Sequence, residues 1–582
     1  MPKRWRIAPC DPTSVAALER AAGIPSVVAQ LLLSRGISDP ELARQFLDPK
    51  LNGLREPAEL PGAAAAAGLI YAAIQAKRRI TIYGDYDADG MTATAILLGC
   101  LRLLHAEVDF YIPHRIDEGY SLNDGALRKL AEQGCEMVVT VDCGVASIAQ
   151  AKLAGELGLT LIVTDHHQMA QTLPEAAAVV HPGLPEADYP FTGLCGAAVA
   201  FKLAWAICQC ASEGEKVSPR LRNFLLQAVG LAAIGTVCDV VPLVDENRIL
   251  VRYGLDTLKA QPSVGMAALM RRAKLTEKPY LAGEDLGFVI GPRLNAAGRL
   301  GQAEIAIELL TTESTERADK IALYMEDLNT QRQSLERSMM RGATKQVKET
   351  CDLNSSAALV LVDHEWHPGV IGIVAGRLTE KYHRPVVLVA ADPLGVKPGI
   401  GSARSVPGFN LHEALAECGY LLESHGGHAA AAGLRILPKN VGAFREAFCQ
   451  VAAERIGLEP QVAELQVDAE ASLQMLTRQT VEQIESLAPF GHGNSRPVLC
   501  ATNVRIAGEP KRIGATGRHL SMMIDQHGVK IRAVAFGGGD WEEELSRLDG
   551  PLSIAFRPVI NHFRGRVSVE IHLDDWHVDE HS

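Results

Sequence analysis

Residues 81–90 read TIYGDYDADG, in which aspartates alternate from Asp85 to Asp89 and a glycine follows. An EF-hand calcium loop begins in this way, but it needs a glutamate at its twelfth position, which counted from Asp85 is Ile96. The preceding residues 79–83, RITIY, are β-branched and aromatic, which indicates a strand and not the entering helix of an EF-hand. The sequence therefore predicts three carboxylates at the end of a strand.

Strands and helices alternate along the chain from this point. The alternation is typical of a parallel, doubly wound sheet in an α/β fold. The predicted strands are 79–84, 107–112, 137–142 and 159–164, the helices between them are 91–104, 124–133 and 145–157, and a helical region follows at about 196–260.

The rest of the chain changes pattern twice. Residues 312–350 lack proline and have apolar residues at helical spacing among many charges, which predicts a long, largely exposed connecting helix. A second α/β unit begins near 356, and short strands with turn signals at 497–580 predict a small β-barrel. We expect five regions: an N-terminal helical segment (1–60), a catalytic α/β domain (61–265), a connecting region with the long helix (266–350), a smaller α/β domain (351–462) and a barrel domain (463–582).

The composition indicates a protein from a reducing compartment. The 582 residues are 47% hydrophobic, and the twelve cysteines are scattered without CxxC pairs, which favours reduced thiols and a cytoplasmic location. The start, MPKRWRIAPC, lacks the apolar stretch of a signal peptide, and we expect no membrane span. The net charge of −12 does not exclude a polyanionic ligand, since binding depends on local potential.

More acids and imidazoles follow the other strands. Asp142 ends strand 137–141, Asp165-His166-His167 ends strand 159–164, and Asp239 follows an apolar helix. Taken singly, these residues have ordinary explanations, such as a helix cap for Asp89 or a turn for Asp142. In an open parallel sheet, however, ligands gather beyond the carboxyl ends of the strands.

Carboxylates crowded at one sheet edge repel each other unless cations neutralise them. Oxygen ligands with one or two imidazoles suit Mn²⁺ or Mg²⁺ better than a structural zinc ion. The set is larger than one ion needs, and two ions about 3.5–4 Å apart are an arrangement used for phosphoester displacement. The sequence therefore predicts a site for two divalent cations.

The motifs GDYDADG, VDCGV, TDHH and CDVVPL, in this order, resemble the DHH phosphoesterase superfamily. Within it the chain is similar to the RecJ family, bacterial exonucleases that degrade single-stranded DNA in the 5′→3′ direction. The similarity continues downstream in GPRLNAAGRL (291–300), HPGVIGIVAGRL (367–378), GSARS (401–405), SHGGHAAAAG (424–433) and APFGHGN (488–494). The last three resemble the DHHA1 domain and its junction with an OB-fold, so the resemblance implies DHH, DHHA1 and OB-fold domains in that order.

The resemblance also implies roles for the acidic and imidazole residues. The implied metal ligands are Asp87, Asp89, Asp142, His166 and Asp239, with Asp142 as the bridge. Asp85 is either a ligand or a hydrogen-bond acceptor behind the ligands. His167 is expected to contact a metal ion or the scissile phosphate, and Asp165 to orient a neighbouring imidazole.

Basic and polar residues suggest how a strand would bind. In RecJ-like proteins the positions of Arg115, Ser402 and Arg404 are similar to a 5′-phosphate pocket, although Arg115 could instead pair with Asp117 or Glu118. The other expected strand contacts are Arg293, Asn295, Arg299 and His428.

The barrel region mixes basic and aromatic residues in a manner that fits an OB-fold tracking a single strand, although at least half of the phenylalanines would serve the core. They are Lys511, Arg512, Arg518, Lys530, Arg532, Arg557, Arg564 and Arg566, with Phe536, Phe556 and Phe563.

Two other functions remain open from the sequence. One is a DHH phosphodiesterase acting on short oligonucleotides, cyclic dinucleotides or polyphosphate, which the added barrel disfavours. The other is a non-catalytic replication scaffold, which the complete set of acidic positions disfavours. For an exonuclease, the resemblance implies single-stranded DNA as substrate, a single-strand-binding protein and a helicase as partners, and a monomeric state.

Overall fold

The computed structural model describes residues 3–185, 187–212, 217–353, 355–458, 464–548, 550–563 and 566–578. The chain divides into two compact units. Unit 1 comprises Met1–Arg55, Val240–Tyr253 and Val462–Ser582, and unit 2 comprises Glu56–Asp239 and Gly254–Gln461. The two ends of the chain therefore belong to the same unit, together with an internal segment that the sequence assigned to the catalytic domain.

The strands in the described residues are β1 (Arg4–Ile7), β2 (Ile80–Tyr83), β3 (Val108–Tyr111), β4 (Met137–Thr140), β5 (Thr160–Thr164), β6 (Ala178–Val180), β7 (Leu359–Asp363), β8 (Val386–Ala390), β9 (Gly399–Arg404), β10 (Ser424–Gly427), β11 (Ala431–Ile436), β12 (Glu464–Val467), β13 (Ala469–Glu470), β14 (Leu499–Ile506), β15 (Lys511–Ile513), β16 (His519–Gln526), β17 (Val529–Ala535), β18 (Leu552–Phe563) and β19 (Arg566–Val578).

The α-helices are α1 (Pro12–Ala22), α2 (Ser26–Leu33), α3 (Pro40–Leu47), α4 (Ala63–Gln75), α5 (Ala88–Leu103), α6 (Asp124–Glu132), α7 (Ile148–Glu156), α8 (Gly196–Cys210), α9 (Pro219–Cys238), α10 (Asp245–Ala260), α11 (Val264–Arg272), α12 (Gly283–Asp285), α13 (Gly291–Arg299), α14 (Ala303–Thr311), α15 (Thr315–Thr350), α16 (Ile371–Tyr382), α17 (Leu411–Glu417), α18 (Val441–Ile456), α19 (Arg478–Glu485) and α20 (Glu542–Ser546). A π-helical turn, Leu286–Ile290, lies between α12 and α13.

The first sheet of unit 2 is parallel throughout, with the strand order β3-β2-β4-β5-β6, which confirms the predicted α/β sheet. Every residue of β2 and β4 is buried, as expected for strands covered on both faces. Helices α6 and α7 share a hydrophobic core with these strands, while α5, α8 and α9 pack against one another.

At this sheet the structure decides between the alternatives for Asp89 and Asp142. The first helix begins at Ala88 with Asp87 as its N-cap, so Asp89 lies inside the first turn and does not cap the helix. Strand β4 ends at Thr140, and Asp142 has a left-handed backbone with φ of 63°. The cap explanation for Asp89 is therefore wrong, whereas Asp142 lies in the bend that follows β4, as the turn explanation expects.

Helix α9 tests the expectation that the chain has no membrane span. By length and composition alone it could cross a membrane, and up to three spans would result if each of two bent helix pairs were one span. In the structure 56% of its apolar window is buried, and it packs between α5 and α8. Most of its apolar window thus packs inside the protein.

Helix α15 joins the first sheet to the second. It is 36 residues long and carries buried residues at helical spacing from Ala318 to Val347, packed against α11, α13 and α16. The helix is therefore less exposed than predicted, because one complete face is packed. The second sheet has the order β10-β11-β9-β8-β7, and in it β7 and β8 are parallel while the other pairs are antiparallel.

Unit 1 contains the predicted C-terminal barrel. The pairings β14–β18, β18–β19, β19–β17, β17–β16 and β16–β14 close a ring of five strands, as in an OB-fold. Residues of α1 and α2 complete its hydrophobic core. Phe556 is fully buried in that core, whereas Phe536 is exposed. Arg564 and the side chain of Phe563 lie outside the described residues.

Candidate metal centre

The aspartates of the first loop are held by backbone amides. Asp87 caps α5, and its Oδ1 accepts hydrogen bonds from the amides of Asp89 (2.9 Å) and Gly90 (3.0 Å). Asp89 faces the N-terminus of α8, where its Oδ2 accepts from Gly196 N at 2.6 Å and its Oδ1 accepts from Ala197 N at 2.9 Å. A helix N-terminus favours a negative charge, so α8 stabilises this carboxylate.

Four segments meet at His166. Its Nε2 lies 3.1 Å from Asp142 Oδ1, 3.8 Å from Asp89 Oδ2 and 3.6 Å from Asp239 Oδ2. Despite these distances, His166 Nε2, Asp142 Oδ1 and Asp85 Oδ1 are buried and have no hydrogen-bond partner among the described residues. Buried polar atoms are normally paired, so these three orphaned atoms indicate that a ligand belongs between them.

Three groups of side chains bring donor atoms within 4.8 Å of one another. They are Asp142 with His166 and His167, Asp89 with His166 and Asp239, and Asp85 with Asp87 and Asp142. Asp142 belongs to two of these groups, as a bridging carboxylate would. All five implied metal ligands, and Asp85 with them, therefore occur in the groups, and the oxygen-rich donor set fits Mn²⁺ or Mg²⁺.

The electrostatics of the centre favour neutral forms in the absence of cations. Burial, followed by the charge of Asp87, raises the pKa of Asp89 to about 6, and burial followed by Asp89 raises that of Asp239 to about 8. Burial and neighbouring carboxylates also hold the pKa values of Asp85 and Asp142 well above the usual range. Cations among these groups would stabilise their ionised forms.

The two imidazoles differ in charge. Burial, followed by the positive charge of His167, lowers the pKa of His166 to about 3. The His166 ring is therefore neutral and can act as a metal ligand. Burial lowers the pKa of His167 too, but its hydrogen bond to Asp165, with Oδ1 and Nδ1 2.8 Å apart, and the negative charges of nearby aspartates together outweigh burial and raise the pKa to about 9. The same hydrogen bond and the nearby amides overcome burial and lower the pKa of Asp165.

Three arginines lie near one another beside the aspartate loop, and we call Arg115, Arg299 and Arg404 the arginine cluster. Burial, then the charges of Arg115 and Arg404, lowers the pKa of Arg299 to about 10, and burial and Arg115 lower that of Arg404. Arg404 donates to Ser402 Oγ at 3.1 Å. Mutually repelling cations of this kind are stabilised by an anion.

The alternative partners of Arg115 are engaged elsewhere. Asp117 pairs with His114 Nδ1 at 2.6 Å, and Glu118 accepts from Tyr111 Oη at 2.6 Å. The Arg115 guanidinium lies over the Tyr86 ring, 4.8 Å from its centroid.

The remaining predicted strand contacts have different surroundings. Arg293 forms a bidentate ion pair with Glu326 of α15, at 2.7 and 3.1 Å, which uses its guanidinium within the protein. Asn295 Oδ1 accepts from Ala88 N at 2.8 Å and so supports the aspartate loop. His428 lines a cavity of about 640 Å³, opposite Gln168 and Met169, which follow His167.

Three family models match the chain: the N-terminal domain of the DHH family at residues 79–234, the DHHA1 domain at 354–454 and the RecJ OB domain at 467–575. The single-stranded-DNA-specific exonuclease RecJ of Bacillus subtilis is 37% identical over 99% of this chain and 71% of its own length. That of Escherichia coli is 31% identical over 95% of this chain and 96% of its own length.

The chain belongs to the RecJ family.

A solved RecJ structure has the same fold. The crystal structure of RecJ from Thermus thermophilus in complex with Mn²⁺ has a TM-score of 0.83 at 32% identity, covering 99% of this chain and 80% of that one. A second structure of that RecJ, in complex with Mg²⁺, has a TM-score of 0.77. The predicted order of DHH, DHHA1 and OB-fold domains is thereby confirmed.

Sequence reasoning missed several residues of this RecJ-family centre. Tyr120 Oη lies 3.0 Å from both the carbonyl oxygen of Asp142 and Nδ1 of His167. His181 Nε2 lies 2.8 Å from the carbonyl oxygen of His167. Tyr120 follows Arg115 closely in the chain and could have been considered with it, whereas His181 follows β6, a strand that the sequence pattern did not reveal.

Two glycines also shape the centre, because a side chain at either position would displace a carboxylate. A Cβ on Gly196 would lie 2.5 Å from Asp142 Oδ1, and one on Gly235 would lie 2.3 Å from Asp89 Oδ1. Close packing at these positions thus fixes Asp142 and Asp89.

Proposed function

We propose that this chain is a metal-dependent exonuclease that hydrolyses single-stranded DNA in the 5′→3′ direction, releases 5′-mononucleotides and serves DNA recombination and repair. The observation that carries the proposal is the pair of buried, orphaned atoms, His166 Nε2 and Asp142 Oδ1, at the meeting point of four acidic segments in a RecJ-family chain. An ordinary structural core would not leave such atoms unpaired.

The metal centre would hold two divalent cations, Mn²⁺ or Mg²⁺. When bound, such a pair supplies positive charge to the phosphoryl oxygens and lowers the pKa of the attacking water. Asp142, shared by two of the three groups, is suited to bridge the two positions. The other ligands would be Asp85, Asp87, Asp89, His166 and Asp239.

Asp165 and His167 act on the substrate side of this centre. Asp165 accepts hydrogen bonds from the amides of Val145, His166 and His167, so its position is fixed. It holds the His167 ring and favours its protonated form. A protonated imidazole beside the centre would donate a hydrogen bond to the scissile phosphate and stabilise the charge that develops there.

The arginine cluster and Ser402 would receive the 5′-terminal phosphate. Arg404 is aligned by Ser402 and by the carbonyl oxygen of Ala403, 2.8 Å away, which leaves its guanidinium in a fixed orientation. A charged pocket at a set distance from the metal centre would admit one terminal nucleotide before the scissile bond. This would produce mononucleotides and impose polarity from the 5′ end.

Other parts of the chain would bind the strand without reading its bases. The cavity beside His428 lies next to the loop that follows His167 and would accept the strand near the centre. In this proposal Arg293 and Asn295 act indirectly, through Glu326 and the aspartate loop. Contacts to phosphates and base faces give no sequence preference.

The barrel of unit 1 would bind a further stretch of single strand. Three of its basic residues are already paired within the unit, Arg512 with Glu542, Arg532 with Glu570 and Arg557 with Asp574. We expect Lys511, Arg518, Lys530 and Arg566 to contribute more to phosphate binding. A monomer in the cytoplasm, working with a single-strand-binding protein and a helicase, is consistent with the free cysteines of the chain and with its family.

Digestion of end-labelled single strands tests the function. With Mn²⁺ or Mg²⁺ we expect labelled mononucleotide from the 5′-labelled strand at once, and label from the 3′-labelled strand only at the end of digestion. Chelator should stop both. Asp142→Asn should abolish turnover, whereas Asp256→Asn, at an exposed position of α10, should not. Early release from the 3′ end would show that the polarity is wrong.

A further inference from the structure

Phe288 is an exposed aromatic side chain on a turn whose other residues are buried or half-buried. It lies in the π-helical turn Leu286–Ile290, whose end residues are both fully buried. Phe288 itself is 80% exposed. Single exposed apolar residues are common on protein surfaces, but π-helical turns are rare and are frequent at functional sites.

The turn is packed against the end of α9. The Cys238 thiol lies 3.8 Å from the carbonyl oxygen of Leu286, and a Cβ on Gly291 would lie 2.4 Å from Cys238 Sγ. The next residue after Cys238 is Asp239, whose Oδ2 is 3.6 Å from His166 Nε2. The turn that carries Phe288 is therefore fixed directly to the segment that supplies a proposed metal ligand.

The helix that leaves the turn reaches the other parts of the site. In α13, Asn295 supports the aspartate loop through Ala88, and Arg299 belongs to the arginine cluster. Arg293 of the same helix donates to the carbonyl oxygen of Val289 at 2.8 Å, and this hydrogen bond stabilises the turn. The turn that carries Phe288 is thus continuous with a helix that contacts both the aspartate loop and the arginine cluster.

We propose that Phe288 is a stacking platform for one base of the bound DNA strand, an inference that rests on the proposed function. The metal centre and the arginine cluster attract the phosphates of a strand, which leaves its bases to find contacts of their own. An aromatic ring stacks on any base, because every base has a π-face, and this suits binding without base readout. Since the turn is braced on both sides, little order is lost when the base binds.

Steady-state kinetics on a 5′-phosphorylated single strand test the role. Phe288→Ala should raise KM roughly 5- to 150-fold, the range for losing one base stack, with kcat at saturation nearly unchanged. Phe288→Trp should restore most of the loss, whereas Phe288→Leu should not, because leucine has apolar area but no π-face. Tyr420→Ala removes another aromatic, 78% exposed, and should leave KM unchanged. An unaltered KM in Phe288→Ala overturns the proposal.

Abasic substrates identify the base. In the unsubstituted protein, an abasic site moved along the strand should weaken binding at one position more than at its neighbours. In Phe288→Ala the extra loss at that position should vanish, because the platform is already gone. If the two proteins show the same abasic profile, the base does not stack on Phe288.

Binding measurements separate this inference from the proposed function. Fluorescence anisotropy of a labelled strand, with or without cations, compares the same variants and needs no turnover. Absent hydrolysis with weaker binding in Phe288→Ala would refute the exonuclease and support the platform, while hydrolysis with equal binding would do the reverse. A variant that changed only the oligomeric state, by light scattering, would assign Phe288 to a protein contact and overturn the proposal.

Discussion

The carboxylate of Asp165 and the imidazole of His167 are joined by a hydrogen bond of 2.8 Å between Oδ1 and Nδ1. Asp165 is itself fixed by three backbone amides, of which Val145 N donates to Oδ2 at 2.9 Å. The pair therefore works as one unit, in which the backbone sets the carboxylate and the carboxylate sets the orientation and the charge of the ring.

Replacing Asp165 should disturb the orientation and the charge of the His167 ring while leaving every proposed metal ligand in place. In Asp165→Asn, His167 loses the charge partner that raises its pKa, and we expect kcat to fall about 10- to 100-fold even at saturating Mn²⁺. The measurement is turnover against Mn²⁺ concentration. Asp363→Asn, which removes an aspartate 3.7 Å from His364 on the second sheet, is the matched control and should retain full activity. Full turnover in Asp165→Asn would show that the pair is only structural.

A methyl group at Gly196 should displace the carboxylate of Asp142, which we propose as the bridge. The added Cβ would lie 2.5 Å from Asp142 Oδ1, closer than packed atoms allow, so Asp142 must move. A shift of about 1 Å in a reacting geometry can lower the rate about 100-fold, and we expect a loss of that order for Gly196→Ala. Gly155→Ala in α7, where a Cβ meets nothing within 4 Å, should have ordinary activity. Equal rates would contradict the close fit around Asp142.

Much of this architecture could be predicted from local sequence. The buried runs of β2, β4 and β5 alternate with amphipathic helices, and that pattern alone determines a parallel sheet whose carboxyl ends bear Asp85, Asp142 and Asp165. Convergence of these residues on one edge follows from the topology of such sheets, which is why the metal centre could be anticipated.

Details that depend on packing between distant segments could not be predicted. The pairing of Arg293 with Glu326 joins two residues 33 positions apart on different helices, and no local pattern indicates it. Residues 240–253 belong to unit 1 because they pack with the two ends of the chain, a choice made by tertiary contacts. The carboxylate of Asp89 accepts from the amides of Gly196 and Ala197 in α8, a long-range contact that no local pattern indicates.

Arg404 should control the preference for a phosphorylated end. Loss of one charged hydrogen bond in Arg404→Ala should weaken 5′-phosphorylated strands by about 1.5–3 kcal/mol, roughly 10- to 150-fold in kcat/KM, with little effect on 5′-hydroxyl strands. Arg293→Ala removes a guanidinium already paired with Glu326, and should not change the ratio between the two ends. Equal losses on both ends in Arg404→Ala would remove it from the phosphate pocket.

The metal-free protein should lose stability as the pH rises. Asp239 has its pKa raised to about 8 in the folded chain, while in the unfolded chain it ionises near its usual value of 3.8. Between these values the folded state binds the extra proton, so the free energy of unfolding falls with increasing pH, and the loss is complete above about 8. Thermal melts in chelator should show this decline between about pH 6 and 8.5, and saturating Mn²⁺ should abolish or reverse it. A chelated protein that gained stability over the same range would refute the raised pKa.

Arg248 should be needed for the stability of unit 1. The residue is 2% exposed, and its guanidinium donates to the carbonyl oxygens of Phe46 (2.9 Å), Leu487 (2.7 Å) and Ser486 (3.2 Å). Arg248 thereby joins the inserted segment 240–253 to the N-terminal segment and to the barrel region. Burial, followed by repulsion from Arg252 and Arg35, lowers the pKa of Arg248 to about 9. The three hydrogen bonds therefore offset the free energy lost when the charged guanidinium leaves water.

In Arg248→Met the carbonyl groups of Phe46 and Ser486 would lose the donor, while that of Leu487 would keep its hydrogen bond from Asn494 Nδ2 at 2.8 Å. Because each unsatisfied buried group costs about 1 kcal/mol or more, we expect the free energy of unfolding to fall by about 2–4 kcal/mol in urea titrations that follow tryptophan fluorescence. Arg252→Met, one turn further along α10 at an exposed position, should change it by less than about 0.5 kcal/mol. If both variants unfold at the same urea concentration, the hydrogen bonds of Arg248 do not hold the segments of unit 1 together.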